Sequence, residues 1–490
     1  MARLAAPVGA GRMEAPDAVG RSGAVGCGDE VTIQLRVAGG RIREARFLAF
    51  GCGAATAAAS AACARLTGAP LGTALCLSAA DLDRDLGGLG PQRRHGPELV
   101  EDAVARALEA WYSPRLGGTG LPLDRRRVAV AMSGGVDSAV AAMLLADAGW
   151  DVVGVTMRLW HDPASPAAQR SCCSPDTVRA ARATARALGI PHLTIDAAEP
   201  FRRGVVEGFA AGYRAGLTPN PCVTCNGDVR FRVLSQAAAL LGARWLATGH
   251  YARVANCPGG EPSVARALDR DKDQSYMLAR LDPRILRRLI FPLGERRKDE
   301  VRALARAAGL PAADAVESQE VCFVGQGGYA AFLERAFGMR ARPGEVVDRE
   351  GRVLGRHAGY WRYTVGQRRG LRIASDGPLY VLATDAAANR VVVGPREALA
   401  TRWLRLGDVI LREPIGEEPL EVRIRYRGRA LRGRARPARG GLDVALDDPA
   451  EAAAAGQTAA LYRDGRLVAA GTIMGSGAFR APDEEDVHGP

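Results

Sequence analysis

Two groups of residues in this chain have types and spacings suited to chemistry. The first is Ser133-Gly134-Gly135-Val136-Asp137-Ser138, between the apolar run Val128–Met132 and a helical pattern over Ala139–Ala148. Glycines let the backbone approach an anion closely, and a helix start offers unsatisfied N–H groups and the positive end of its dipole. Ser133 and Ser138 add hydroxyl donors. Asp137 beside a phosphate requires a bridging Mg²⁺, or else it orients the loop. The loop lacks the Gly-Lys-Ser/Thr ending of the P-loop nucleotide hydrolases. The second group is made of thiols. Pro219-Asn220-Pro221-Cys222-Val223-Thr224-Cys225-Asn226 leads into a helical pattern from Arg230. Its prolines fix the approach and bring Cys225 close to a helix start, where a thiolate is favoured. Cys322 follows in Ser318-Gln319-Glu320-Val321-Cys322-Phe323. Cys222, Cys225 and Cys322 together also suffice for a [4Fe–4S] cluster with one open iron, whereas Zn²⁺ wants a fourth ligand. The adjacent Cys172-Cys173 pair is poorly shaped to chelate one ion, and Cys63, Cys76 and Cys257 sit in no motif.

The elements that must position these groups are legible from periodicity. Val31, Ile33, Leu35 and Val37 alternate as a half-buried strand. Ala38-Gly39-Gly40 signals a hairpin into a second strand, Arg41–Phe50, and helical patterns follow at Ala54–Leu66 and Pro97–Trp111. From Val128 short apolar strands (Val128–Met132, Val152–Met157, His192–Ile195, Trp245–Thr248) alternate with helices (Ala139–Ala148, Thr177–Leu188, Arg230–Leu241). That alternation predicts a parallel sheet covered by helices. Beyond about Gly328 short strands and Gly/Asp/Arg turns predict two small β-rich units. With 490 residues the chain has room for roughly three or four domains. Its 47% apolar and 24% charged residues are those of a soluble globular protein. No apolar stretch is long enough to span a bilayer, and Pro7, Arg12, Glu14, Pro16 and Asp17 break any leader-like run, so the expected compartment is the cytoplasm. The formal charge is +12, carried by arginine because lysine occurs only at Lys272 and Lys298. A GC-rich coding bias accounts for that, as does a polyanionic partner such as RNA. Ten cysteines in such a chain point to catalysis, redox relay or metal binding before a disulfide framework.

The loop Ser133–Ser138 resembles the PP-loop of ATP pyrophosphatases, which split ATP to AMP and pyrophosphate. With Pro219–Asn226, Ala247-Thr248-Gly249-His250-Tyr251, Asp271-Lys272-Asp273-Gln274-Ser275-Tyr276, Cys322-Phe323-Val324-Gly325, Tyr363-Thr364-Val365-Gly366-Gln367-Arg368, Arg425-Tyr426-Arg427 and Gly456-Gln457, the order is similar to that of the tRNA-specific 2-thiouridylases. The resemblance runs from about Arg127 to Gly475. It implies an α/β PP-loop domain of the adenine nucleotide alpha hydrolase type, a small central domain and a C-terminal β-barrel. It implies that Ala131, Met132, Ser133, Gly134, Gly135, Val136, Asp137 and Ser138 hold the ATP phosphates and that Met157 and Gly249 line the adenosine. Asn220, Pro221 and Cys222 would lie against the target base; many relatives have Asp at the last position. His250, Lys272, Asp273, Gln274, Arg425, Tyr426 and Gln457 would contact tRNA. Cys322 would carry a persulfide, received from a cysteine desulfurase or a sulfur-relay protein, and Cys225 would be its nucleophilic partner. The implied reaction adenylates O2 of the wobble uridine. Either the persulfide sulfur then displaces AMP, with a Cys225–Cys322 disulfide left to be reduced, or Cys225 first frees hydrosulfide. A nitrogen-transferring PP-loop amide ligase is the competing enzyme class and a tRNA-binding cluster carrier the competing non-enzyme.

Cys27-Gly28-Asp29-Glu30, followed by Gly51-Cys52-Gly53, resembles the U-type (IscU/NifU) scaffolds of iron–sulfur assembly, which implies an α+β N-terminal domain. In that family three cysteines and an Asp surround the metal. Here Arg94-His95-Gly96 stands where His-Cys is expected. Cys27, Asp29, Cys52 and His95 make a mixed set for Zn²⁺ or an iron–sulfur species; the alternative is a degenerate domain kept for docking a sulfur donor. The expected organisation is 1–23 disordered, 24–112 scaffold-like, 113–127 linker, 128–328 PP-loop domain, 329–396 central domain, 397–476 barrel and 477–490 a disordered tail.

Overall fold

The computed structural model describes residues 6–23, 28–162, 175–257, 259, 261–313, 321–325 and 327–475. Cys27, Cys172, Cys173, Ser318, Gln319, Glu320 and the tail 477–490 lie outside the described residues.

Strands β1 (Ala18–Gly23), β2 (Glu30–Ala38) and β3 (Arg41–Phe50) form an antiparallel sheet in that order. Val31, Ile33 and Leu35 are wholly buried, as their alternation requires. Gly39 and Gly40, at φ 58° and 70°, make the tight turn that pairs Ala38 with Arg41. Helices α1 (Gly53–Leu66) and α2 (His95–Tyr112) share one apolar core with this sheet. β1 corrects the expectation that everything before Gly23 lacks structure. Ala18, Gly20 and Ser22 are buried under α2, and a Cβ on Gly20 would fall 2.0 Å from the Ala103 carbonyl oxygen. The Ala/Gly-rich composition that reads as disorder is the flat surface a helix needs for close approach.

The stretch expected as a linker is also packed. A Cβ on Gly120 would fall 2.0 Å from the Ala239 carbonyl, and Asp124 N–H donates to Gly242 O at 2.8 Å. Here β4 (Asp124–Ala131) begins, followed by helix α3 (Val136–Asp147), β5 (Asp151–Arg158), helix α4 (Pro175–Ala187), β6 (His192–Asp196), helix α5 (Phe231–Leu240) and β7 (Ala243–Thr248). A hairpin, β8 (Ala252–Asn256) and β9 (Pro262–Arg266), precedes the two-residue β10 (Leu289–Ile290) and helix α6 (Lys298–Ala307). The sheet order is β10-β7-β4-β5-β6, with every pair parallel. Its central strands are buried on both faces, α3 and α4 packing on one and α5 on the other. From β4 the chain steps to β5 and β6, then crosses to β7 on the far side of β4. The loops after β4 and β7 therefore diverge and open a crevice at the C-terminal edge.

Strands β11 (Gly344–Val347), β12 (Val353–His357), β13 (Tyr380–Asp385) and β14 (Arg390–Gly394) form a separate four-stranded sheet, order β12-β11-β14-β13. The last unit contains β15 (Ala400–Leu411), β16 (Leu420–Arg423), β17 (Leu431–Ala438), β18 (Gly441–Glu451), β19 (Thr458–Arg463) and β20 (Arg466–Gly475). β15 pairs with both β18 and β20, closing a six-stranded barrel around Leu406, Val422, Val444, Leu461 and Val468. Tyr276 OH donates to the Thr458 carbonyl at 2.9 Å and ties the barrel to the parallel-sheet unit.

Helix α2 joins the N-terminal unit to that sheet by lying along β6. Glu101 pairs with Arg186, Asp102 with Arg182 at 2.9 Å and Glu109 with Arg158 at 2.8 Å; Ser113 Oγ accepts from Asp196 N–H at 2.9 Å. His192 is buried at this junction, its Nε2 2.8 Å from Thr156 Oγ1. Because that hydroxyl donates its own proton to Met132 O at 2.8 Å, Nε2 is the donor to it. Burial, then the Arg182 and Arg186 charges, push the His192 pKa down to about 3.

Candidate active site

The loop after β4 is folded by its own serines. Ser138 Oγ accepts from Ser133 N–H at 3.1 Å and donates to Gly135 O at 3.0 Å. Gly134 sits at φ 75°, and a Cβ there would meet Thr177 O at 2.6 Å. Helix α3 starts at Val136 with no side chain capping its first turn, so those N–H groups face the crevice. Across it Gly249, just after β7, touches the loop so closely that a Cβ would lie 2.7 Å from Asp137 C and Ser138 N. Between them is a cavity of about 210 Å³ lined by Ala131, Met132, Ser133, Asp137, Ser138, Met157 and Gly249, all expected there. Gly134, Gly135 and Val136 form the turn beneath. This cradle of glycines and helix N–H groups suits a nucleotide phosphate.

Asp137 is held from two sides. Lys298 Nζ lies 2.7 Å from both carboxylate oxygens and Tyr251 OH donates to Oδ1 at 2.9 Å. The carboxylate therefore orients the loop, and the positive charge beside the phosphate site is a lysine. Tyr251 closes the Ala247–Tyr251 motif but had no role assigned from sequence, and Lys298 lay outside every motif. Lys298 is over a hundred residues from the loop, and its only signal was being one of two lysines.

The cysteine segment reaches the same cavity. Asn220 Oδ1 accepts from Val223 N–H at 3.3 Å and caps the short helix Pro221–Thr224. The chain then widens into a π-helix over Cys225–Arg230. Such i→i+5 winding puts residues five apart on one side, and it concentrates at functional sites. Arg230, given no role in the sequence reading, lines the cavity beside the Ser133–Ser138 loop. Cys225 is buried, while Cys222 is exposed, so the two thiols of Cys-x-x-Cys face different surroundings. Cys322 is half-buried. Phe323 anchors its segment, 5.8 Å from the Phe201 ring and 5.3 Å from that of Phe209.

The residues expected on RNA divide into three places. Arg425 and Gln457 line a second cavity of about 490 Å³, with Thr218 and Thr364, where three units meet. Gln457 Nε2 donates to Thr218 O at 3.0 Å, beside the cysteine segment, and Tyr426 packs 6.5 Å from Tyr276. His250 and Gln274 line the cavity beside the Ser133–Ser138 loop. His250 bonds Thr248 Oγ1 at 2.8 Å, and burial followed by the Arg230 charge lowers its pKa to about 3. Asp273 is buried, accepting from Ala267 N–H at 3.1 Å and Ser275 Oγ at 3.0 Å, so its carboxylate shapes its loop and does not face solvent. Lys272 stays half-buried on that loop, its N–H donating to Asp269 at 3.3 Å.

In the N-terminal unit Asp29, Cys52 and His95 bring one ligand atom each within 4.8 Å of one another. His95 Nε2 is 2.8 Å from Asp29 Oδ2 and 3.3 Å from Cys52 Sγ, with Nδ1 3.1 Å from the Gln92 carbonyl. With Nδ1–H on that carbonyl, Nε2 and the carboxylate face each other as two acceptors that a cation would bridge. These donors fit a single ion. A further thiolate at position 96 does not fit, because a Cβ on Gly96 would lie 2.8 Å from Ala54 C and Ala55 N at the start of α1.

Four family models match in sequence: a NifU-like N-terminal domain over residues 1–116, a tRNA methyl transferase HUP domain over 126–326, a tRNA methyl transferase PRC-barrel domain over 330–395 and an aminomethyltransferase beta-barrel domain over 408–473. The chain is 46% identical over 482 residues to the bifunctional protein NifU/MnmA of Rubrobacter xylanophilus, covering 96% of both chains. It is 46% identical over 371 residues to the tRNA-specific 2-thiouridylase MnmA of Methylorubrum populi, covering 74% of this chain and 96% of the relative. The MnmA of Sorangium cellulosum is 44% identical over 367 residues, covering 73% of this chain and 95% of that one.

Proposed function

The chain belongs to the tRNA-specific 2-thiouridylase family, in the form fused to a NifU-like domain, and on that premise we propose how its residues carry out thiolation. It is a tRNA-uridine 2-sulfurtransferase. The observation that supports our reading of the chemistry is the π-helix, which sets Cys225 and Arg230 one wide turn apart, with Arg230 in the wall of the phosphate-loop cavity. A nucleophile beside an ATP site is what activation followed by sulfur attack requires.

ATP binds with its phosphates on the Ser133–Ser138 loop and its adenosine between Met157 and Gly249. O2 of the wobble uridine attacks the α-phosphorus, pyrophosphate leaves, and a carbonyl oxygen becomes a good leaving group. Arg230 supplies positive charge to the phosphates, and Lys298 neutralises Asp137 so that no bare carboxylate opposes them, both groups being preorganised before the nucleotide arrives. The terminal sulfur of a Cys322 persulfide attacks C2 and AMP departs with the original oxygen. Cys225 then attacks Cys322 Sγ, leaving the thiocarbonyl on the base and a Cys225–Cys322 disulfide that an external thiol reduces. Arg425, Tyr426 and Gln457 contact the tRNA around the entrance, with Asn220, Pro221 and Cys222 against the splayed base. His250 and Gln274 position the nucleotide, and Lys272 meets RNA backbone. In the N-terminal domain Asp29, Cys52 and His95 would hold one divalent cation, which would supply an electrophilic centre for a thiolate. We divide the chain as read from its sequence, at 24–112, 128–328, 329–396 and 397–476, with ordered structure beginning before residue 24 and the stretch 113–127 packed on the parallel-sheet unit.

The test is stoichiometric. With unmodified tRNA and persulfide-charged protein, one AMP and one pyrophosphate should form per 2-thiouridine. AMP release without thiolated base, or thiolation without AMP, rejects this mechanism.

A further inference from the structure

Met157 and Leu159, at the end of β5, both stand in the wall of the cavity beside the Ser133–Ser138 loop. The residues that follow leave that wall and run to a helix not yet described, α7 (Gly328–Phe337). Trp160 meets Phe332 edge to face, with ring centres 6.2 Å apart. Asp162 is buried, and one of its carboxylate oxygens takes Arg335 Nε and Nη2, each at 2.6 Å. Phe332 and Arg335 are three positions apart on α7, so one face of the helix receives both contacts. A carboxylate taken out of water is costly unless paired, so this ion pair fixes the strap Leu159–Asp162 against α7 in one geometry.

The same helix seats the Cys322 segment. Val321 to Val324 form a turn, with Val324 N–H donating to Val321 O at 3.1 Å, and the Phe323 ring lies 5.3 Å from that of Phe332. Phe332 is wholly buried between Trp160 and Phe323. A short chain of contacts therefore runs from the cavity wall through Trp160, Phe332 and Phe323 to the residue before it, Cys322. Helix α7 has separate fastenings elsewhere: Tyr329 stacks on Tyr213 at 4.7 Å, and Arg214 donates to Phe337 O at 3.2 Å. Those contacts dock the helix without touching the strap, so the Asp162–Arg335 pair can be broken while α7 stays folded.

The proposed reaction gives this connection a task. An O2-adenylated uridine is open to water as well as to sulfur. Attack by water returns uridine and AMP and leaves the persulfide unspent, with no change of oxidation state. Thiolation prevails only when sulfur is already in place, and a misplacement of about 1 Å costs a factor of about 10². We infer that Asp162 and Arg335 are positioning residues that lock the helix behind Cys322 to the wall of the nucleotide cavity, so that the persulfide meets the adenylated base ahead of water. The inference rests on the proposed adenylation and the proposed persulfide of Cys322.

The test counts products. Full-length protein charged with persulfide is given ATP and unmodified tRNA, and AMP and 2-thiouridine are measured together. The parent gives one AMP per 2-thiouridine. Arg335→Ala should raise that ratio to about 10 or more, and the milder Asp162→Asn, which leaves no unpaired buried charge, to about 3, while AMP forms at a rate within about threefold of the parent. Arg335→Lys, which keeps the charge, should bring the ratio back toward one. AMP and 2-thiouridine falling together at an unchanged ratio overturns the inference, because the pair then serves folding or nucleotide binding. So does a Lys variant as uncoupled as the Ala variant. The proposed function fails separately: 2-thiouridine made by the unaltered protein without AMP, or by its Cys322→Ser form, rejects it with the Asp162–Arg335 pair intact.

Discussion

Lys298 reaches from the first turn of α6 to place its Nζ 2.7 Å from both carboxylate oxygens of Asp137 in the phosphate loop. The pair cancels the one negative charge that would oppose a nucleotide there. Lys298→Met should leave Asp137 facing the phosphates. AMP formation should fall by about 10²–10³, the scale for losing one preorganised charge contact, while tRNA binding measured by filter retention stays within about twofold. Lys298→Arg should recover part of the rate. A Met variant as active as the parent would show that the pair serves folding alone.

Gly249→Ala tests the cradle itself. The new methyl would sit 2.7 Å from Asp137 C and Ser138 N, both backbone atoms. Overpacking of this kind costs about 1–3 kcal/mol, and here it falls on the phosphate loop. ATP affinity, read by calorimetry, should drop at least tenfold with little change in melting temperature. Unchanged affinity would place the nucleotide elsewhere.

The exposed and buried thiols should behave differently. Cys225→Ser should abolish turnover, whereas Cys222→Ser should cost less than tenfold, because Cys222 faces outward. If instead both variants lose activity together with bound iron in anaerobic preparations, a cluster held by Cys222, Cys225 and Cys322 replaces the persulfide account.

His192 makes the junction of the two units pH-dependent. Its folded pKa, about 3, lies below the ordinary 6.5, so the unfolded chain binds the extra proton between those values. Stability is therefore full above about pH 6.5 and declines as pH falls toward 3, with a slope near 1.4 kcal/mol per unit from this residue. His250 adds a slope of the same sign. Urea midpoints between pH 4.5 and 7.5 should show the decline, and His192→Gln should flatten it. An equal slope in the variant would assign the effect to other groups.

Much of this site was legible in sequence because its parts are local. The phosphate loop announces itself by a strand, two glycines and a helix start within a dozen residues, and the hairpin turn at Gly39-Gly40 by spacing alone. What escaped is what tertiary packing brings in. Lys298 and Arg230 come to the site from distant elements, and no motif or periodicity gave them a role. Asp273 and His250 read as RNA contacts by resemblance; the structure buries the Asp273 carboxylate against Ala267 N–H and Ser275 Oγ and puts His250 in the wall of the cavity beside the Ser133–Ser138 loop. β1 was missed because Gly20 is small for helix packing, not for disorder, and Gly96 is likewise filled by the start of α1.

The most direct measurement is nucleoside mass spectrometry of unmodified tRNA incubated with ATP, a persulfide donor and either the parent protein or Cys322→Ser. The parent should produce 2-thiouridine at the wobble position and the variant none, with tRNA affinity intact in both. Product from the Cys322→Ser protein, or none from the parent with active donor, would contradict the account.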